Sequence, residues 1–143
     1  MIRKSRGVIA DGKPVDQNLA WRGMATIVGN WHLRGLGMWA VEEKASGEMI
    51  GRAGLLEPGG WPGTEIGWLI ARGHWGKGYA NEAARCCLDW SVEPLGRNYL
   101  ICLIRLGNTL SIWVAEKLAM TLGGEIELME SPALVYDWSR DAT

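Results

Sequence analysis

A chain of 143 residues fits one domain, long enough to bury a core without disulfide or metal staples. Fifteen basic residues against 16 acidic ones leave a net charge of -1, too even a balance for the field of a polyanion-binding surface, so nucleic acid is not expected as a partner. Three cysteines without metal-ligand spacing suggest a reduced chain with no metal centre, and no stretch approaches the roughly 20 apolar residues of a membrane span. The opening "MIRKSRGVIADGKP" lacks the apolar run of a signal peptide, so the expected location is the cytoplasm. Nine tryptophans and no phenylalanine make an aromatic balance that patterning alone does not explain.

From Gln17 to His32, apolar residues recur as Ala20, Met24, Ile27, Val28 and Trp31, the spacing of one helical face. Two apolar stretches follow, Met38 to Val41 and Met49 to Leu56, around a turn at Ala45-Ser46-Gly47, which reads as a hairpin. The loop "EPGGWPGT" leads into a short strand, "EIGWLIA". Ala80, Ala83, Ala84, Cys87, Leu88 and Ser91 share a face of the next helix, from Lys77 to Ser91, and Pro94 bars its continuation. "NYLICLIR" is apolar almost throughout, as a strand buried on both faces would be. Asn108 suits the N-cap of a third helix with an inner face of Ile112, Ala115, Leu118, Ala119 and Leu122, ended by Gly123-Gly124. Two short strands, "EIELME" and "ALVYDWS", complete the order. It suits an α/β fold, a mixed and largely antiparallel sheet with helices on its faces.

The segment "HWGKGYANEA" sits where a strand gives way to a helix. Unpaired N–H groups and the positive end of the helix dipole point outward there, so an anion would be stabilised. Gly76 and Gly78 would let a phosphate approach the backbone, and Lys77 adds charge at the rim. The same glycines equally suit a plain tight turn. The loop is neither a Rossmann fingerprint nor a P-loop.

A second strand-to-helix junction, "NTLSIWVAEKLAM", follows about thirty residues on. Trp75, Gly76, Lys77, Gly78, Tyr79, Ala80, Glu82 and Ala83 in the first block, with Asn108, Ser111, Val114, Glu116, Lys117 and Leu118 in the second, resemble the GNAT superfamily of acetyl-CoA-dependent N-acetyltransferases. The likeness is to the branch that acetylates ribosomal-protein N-termini and related amines. It runs from about Ala20 to Arg140, with the Gly35 to Leu55 stretch resembling the family's central hairpin.

The resemblance implies that backbone N–H groups from Gly76 to Ala80, including Lys77 and Tyr79, hold the pyrophosphate of coenzyme A, with Trp75 in the Q/R position of the family signature. It implies that Trp68, Leu69 and Ile70 lie along a strand that parts from its neighbour and binds the pantetheine arm. Asn108 would face the pantetheine or acetyl group, Ser111 the sulfur, and Lys117 joins the cofactor side; from chemistry alone Asn108 and Ser111 serve equally as a cap. Glu65 is the candidate general base, with an exposed strand-end carboxylate as the plainer reading, and His74 is expected to face solvent. Ala115 stands where much of the superfamily has a tyrosine acid, leaving thiolate protonation to water, Ser111 or neither.

Two departures shape the expectation. Ala119 replaces the family's glycine after E-K-L, a change expected to tighten packing, and too little chain precedes Asp11 for the family's first strand and helix. Without that strand, Met38 to Glu43 becomes an open edge, covered by "SRGVIA" or, preferably, by a second copy in a homodimer. The resemblance thus implies an N-acetyltransferase using acetyl-CoA and an amine acceptor, with an acetyl-CoA-binding module lacking turnover as the alternative.

Overall fold

The computed structural model describes residues 8–9 and 13–142. The element order is β1 (Val8–Ile9), β2 (Lys13–Pro14), α1 (Gln17–Arg34), β3 (Met38–Glu43), β4 (Glu48–Leu56), β5 (Glu65–Ile70), α2 (Tyr79–Val92), β6 (Tyr99–Arg105), α3 (Thr109–Lys117), β7 (Thr121–Leu128) and β8 (Ser131–Ser139). Strands β3 to β8 form one six-stranded sheet in the order β3-β4-β5-β6-β8-β7, antiparallel except between β5 and β6. The expected hairpin, central strands and second helix are therefore present.

Alternation builds the core. Ala53 and Leu55 of β4, Ile66 of β5, Leu100, Cys102 and Ile104 of β6, and Tyr136 and Trp138 of β8 pack in one buried cluster. Against it lie Ala84, Cys87 and Leu88 of α2, and Val114 and Ala115 of α3. Burying this many aliphatic side chains, each worth about 1.5–3 kcal/mol, is what orders the sheet and both helices together.

Helix α1 starts at Asp16, whose carboxylate accepts from Leu19 N–H at 2.8 Å. Its apolar face is buried only in part: Ala20, Ile27 and Trp31 are half-buried, whereas Met24 and Val28 are 54% and 53% exposed. Attachment comes instead from two side chains. Trp31 donates to Met38 O at 3.0 Å and stacks edge-on against Trp39, which in turn meets Trp90 of α2. Buried Asn30 donates to Thr26 O and accepts Glu57 N–H at 2.8 Å, tying α1 to the β4–β5 loop.

Two expectations need correction. Of "SRGVIA" only Val8–Ile9 lies within the described residues, and it pairs with Lys13–Pro14 in a separate two-stranded sheet rather than with β3, which is the outer strand of the main sheet among the described residues. Helix α3 ends at Lys117 rather than at Gly123-Gly124, and Leu122, 58% exposed, lies in β7 with both glycines. The stop is made by backbone: Met120 N–H donates to Ala115 O at 3.0 Å, and Ala119 sits left-handed at φ 61.

Ala119 is exposed, so its effect is on backbone conformation and not on packing as expected. An alanine Cβ in the left-handed region costs about 1–2 kcal/mol relative to glycine. Ala119→Gly should thus raise stability by about 0.5–1 kcal/mol after the flexibility that glycine adds to the unfolded chain. Denaturant unfolding checks this; a midpoint that falls would show that the helix stop is not strained.

Candidate active site

The site begins with a missing rung. Strand β6 joins β5 through a single parallel bridge, Glu65 to Ile101, with Ile101 N–H donating to Thr64 O at 3.0 Å. The next β6 amide facing β5 is that of Leu103, and it donates to the side chain of Glu65, Oε2, at 3.2 Å. The carboxylate thus takes the place of a backbone acceptor, and beyond it the strands part. Because Ala71 N–H bonds Ile50 O and the β4–β5 register is unbroken, alternation turns the peptide groups of Leu69 toward β4 and those of Trp68 and Ile70 toward the gap. Of the three strand residues picked from sequence, two present backbone to the gap and Leu69 turns its backbone to β4.

The gap opens toward the turn after β5. Trp75 folds back so that its indole N–H donates to Ile70 O at 2.8 Å, and Arg72 lies over its ring. Gly76 and Gly78 follow at φ 76 and φ 80, a region other residues enter at a cost, and Gly78 is the N-cap of α2. The N–H groups of the first turn of α2, from Tyr79 onward, therefore face outward beside the mouth of the gap with no side-chain cap on them. On the other side of the mouth, at the end of β6, Asn108 caps α3 by accepting Ser111 N–H at 3.3 Å. Lys117, at the far end of α3, lies over Trp113 at 4.9 Å.

Glu43, which the sequence did not single out, organises the side of the glycine turn. Its Oε2 accepts from Tyr79 OH at 2.6 Å and lies 3.4 Å from His74 Nδ1 and 3.9 Å from Lys77 Nζ. The Tyr79 hydroxyl, followed by Ser46, holds the Glu43 carboxyl below its ordinary range, and Glu43 in turn pushes the Tyr79 phenol up. His74 is not the solvent-facing residue expected, since its ring lies beside Glu43 and Tyr79 with its side chain 21% exposed. A contact across 36 residues has no local signature; Glu43 read as one of three charges beside a turn.

At the closed end of the gap, burial pushes the Glu65 carboxyl up to about 7, opposed by N–H bonds from Trp61 and Leu103. Trp61 Nε1 reaches Oε1 at 3.1 Å. A half-buried carboxyl that titrates near neutrality can exchange a proton with an amine at physiological pH. Ala115, fully buried, confirms that α3 offers no phenol at that position. Among the described residues no group of His, Cys, Asp and Glu could hold a metal ion, and no helix is long and apolar enough to cross a membrane.

The acetyltransferase (GNAT) domain profile matches residues 3–121. The chain is 39% identical over 115 residues to the uncharacterized protein YkkB of Bacillus subtilis, covering 76% of this chain and 67% of that protein. It is 30% identical over 105 residues to the uncharacterized N-acetyltransferase p20 of Bacillus licheniformis, covering 72% of this chain and 59% of that one. Among solved structures, an acetyltransferase from Agrobacterium tumefaciens superposes with a TM-score of 0.81 at 33% identity, over 90% of this chain and 75% of the other. With the parted parallel strands and the glycine-shaped turn at their mouth, these likenesses establish that the chain belongs to the GNAT family of acetyltransferases.

Proposed function

We propose that the protein transfers acetyl from acetyl-CoA to a primary amine, either a protein N-terminus, as the resemblance to the ribosomal-protein branch suggests, or a small molecule. The observation that carries this reading is the gap between β5 and β6, lined by Trp68 and Ile70 peptide groups and closed by Glu65. An extended pantetheine arm suits such a gap because it can pair with one strand edge as another strand would. Backbone N–H groups from Gly76 to Ala80 then receive the pyrophosphate, helped by the dipole of α2 and by Lys77, which is 51% exposed and able to turn from Glu43 to a phosphate. Asn108 and Ser111 stand at the other lip, toward the pantetheine and sulfur.

The chemistry follows from that placement. The carboxylate of Glu65 takes a proton from the ammonium form of the acceptor, directly or through one water. The free amine attacks the thioester carbonyl carbon, a C–N bond forms, the C–S bond breaks, and the coenzyme thiolate leaves. As the intermediate collapses the nitrogen gives its second proton to solvent, and with alanine at position 115 the thiolate takes one from solvent, directly or relayed through the Ser111 hydroxyl. If acetyl-CoA is bound but no amine is ever acetylated, the chain is a binding module.

A thiol-release assay with acetyl-CoA and a panel of amines, run alongside a thermal-shift titration, separates those cases: release supports the enzyme, a shift without release contradicts it. In the same assay Glu65→Gln should lower kcat/KM by about 10²-fold and remove an acid limb centred near the Glu65 value of about 7, while acetyl-CoA affinity holds. A retained limb would remove Glu65 from the mechanism. The stability consequence has a definite sign. A carboxyl raised from 4.5 to about 7 binds its proton more tightly in the folded state, so its contribution is fully present below 4.5 and is lost as pH rises through about 7. That loss is at most about 3 kcal/mol, and Glu65→Gln should flatten it.

The second copy expected at β3 also belongs to this reading. We propose a twofold dimer across β3, supported by that strand's outer position and the exposed Trp39. Light scattering should find a dimer at high micromolar concentration, and a monomer there would end the idea.

A further inference from the structure

The β4–β5 loop is more ordered than a connection of its composition requires. Pro58 to Trp61 forms a four-residue turn closed by Trp61 N–H to Pro58 O at 3.0 Å, with Gly60 at φ 80 in the third position, where a positive φ fits. The entry to the loop is pinned at Glu57, whose N–H bonds Asn30 and whose carboxylate lies 3.6 Å from Arg97. Pinned at one end and reversed by the turn, the loop lays the Trp61 indole back over the first residue of β5, where Nε1 donates to Glu65 Oε1. The other oxygen is already engaged by Leu103 N–H. One donor on each oxygen fixes both torsion and plane of the carboxylate.

We propose that Trp61 is a positioning residue: its indole N–H, delivered by the Pro58–Trp61 turn, holds the Glu65 carboxylate aimed at the closed end of the β5–β6 gap. The proposal rests on Glu65 being the base. A phenylalanine would keep an aromatic ring at that position but leave Oε1 without its donor, so the carboxylate could turn and its charged form would lose a stabilising bond. The surrounding elements hold other ionisable groups. On β6, Cys102 is a buried thiol pushed well up by desolvation and by Glu65 itself, and Arg105 donates Nη1 to the carbonyls of Leu128 and Ser131. Asp137 of β8 is registered beyond Ile101, and Arg52 of β4 is registered against Leu69, further along the strand. None of them changes in a Trp61 variant.

The test pairs a carboxyl NMR titration of Glu65 with pH profiles of kcat/KM for the parent, Trp61→Phe and Glu65→Gln. Trp61→Phe should move the Glu65 titration upward by roughly one unit, the scale of one lost hydrogen bond to a charged group. The acid limb should move with it, so that kcat/KM drops at least about fivefold at pH 7, and above pH 9, where the carboxylate is charged in both proteins, it should stay below the parent because the base is no longer held in place, with KM for acetyl-CoA unchanged. A folded Trp61→Phe whose Glu65 titration stays in place overturns the proposal. If Glu65→Gln keeps the limb, the base assignment fails, yet the NMR titration still judges the contact by itself. Gly60→Val gives a second route should Trp61→Phe not fold: it strains the left-handed position that carries Trp61 back, and should raise the Glu65 titration in the same direction.

Discussion

The structure depends on what happens at Leu103. In an unbroken parallel sheet its amide would bond a β5 carbonyl; here it bonds the side chain of Glu65 instead, two positions after the single bridge to Ile101. A side chain in place of a backbone acceptor lets β5 and β6 diverge without leaving a half-buried N–H unpaired, which would cost about 1–3 kcal/mol. The same substitution leaves a carboxyl in surroundings that oppose its charge, so the residue that opens the gap is also the one whose proton affinity is raised. Shape and chemistry arise from one contact.

The rest of the site is arranged around the open end. Helices α2 and α3 begin at Tyr79 and Thr109, just past the ends of β5 and β6, and so bring two helix N-termini to the mouth. Glu43 then joins the β3–β4 hairpin to the glycine turn through Tyr79, His74 and Lys77. A carboxylate there weakens the local positive field while it ties the loop to the hairpin. Tryptophan recurs at these joints for a reason that phenylalanine cannot meet. Trp31, Trp61 and Trp75 each combine a large apolar ring with an N–H donated to Met38 O, Glu65 and Ile70 O respectively.

The elements with strong periodicity were legible in the sequence. The apolar face of α2, the hairpin of β3 and β4 and the continuous apolar run of β6 all depend on spacing that a local pattern carries. Three things were not. Periodicity identified the apolar face of α1 but not what covers it, and Met24 and Val28 proved exposed. The end of α3 was misplaced because its left-handed residue is Ala119, so the sequence shows no glycine there, while Gly123 and Gly124 mimic a stop inside β7. Glu43 and Trp61 gain their importance from contacts, one of which spans 36 residues, although the P-G-G-W turn was a local hint that position 61 would be directed back toward β5.

Whether the parted strands receive an extended arm of acetyl-CoA can be read from individual amides. In an isotope-labelled sample titrated with acetyl-CoA, the account predicts that the Trp68 and Ile70 amides shift and exchange more slowly as they gain a partner in the gap. Leu69, whose amide is turned toward β4, should change little. Trp68 and Ile70 signals that stay unmoved under saturating acetyl-CoA would contradict the account.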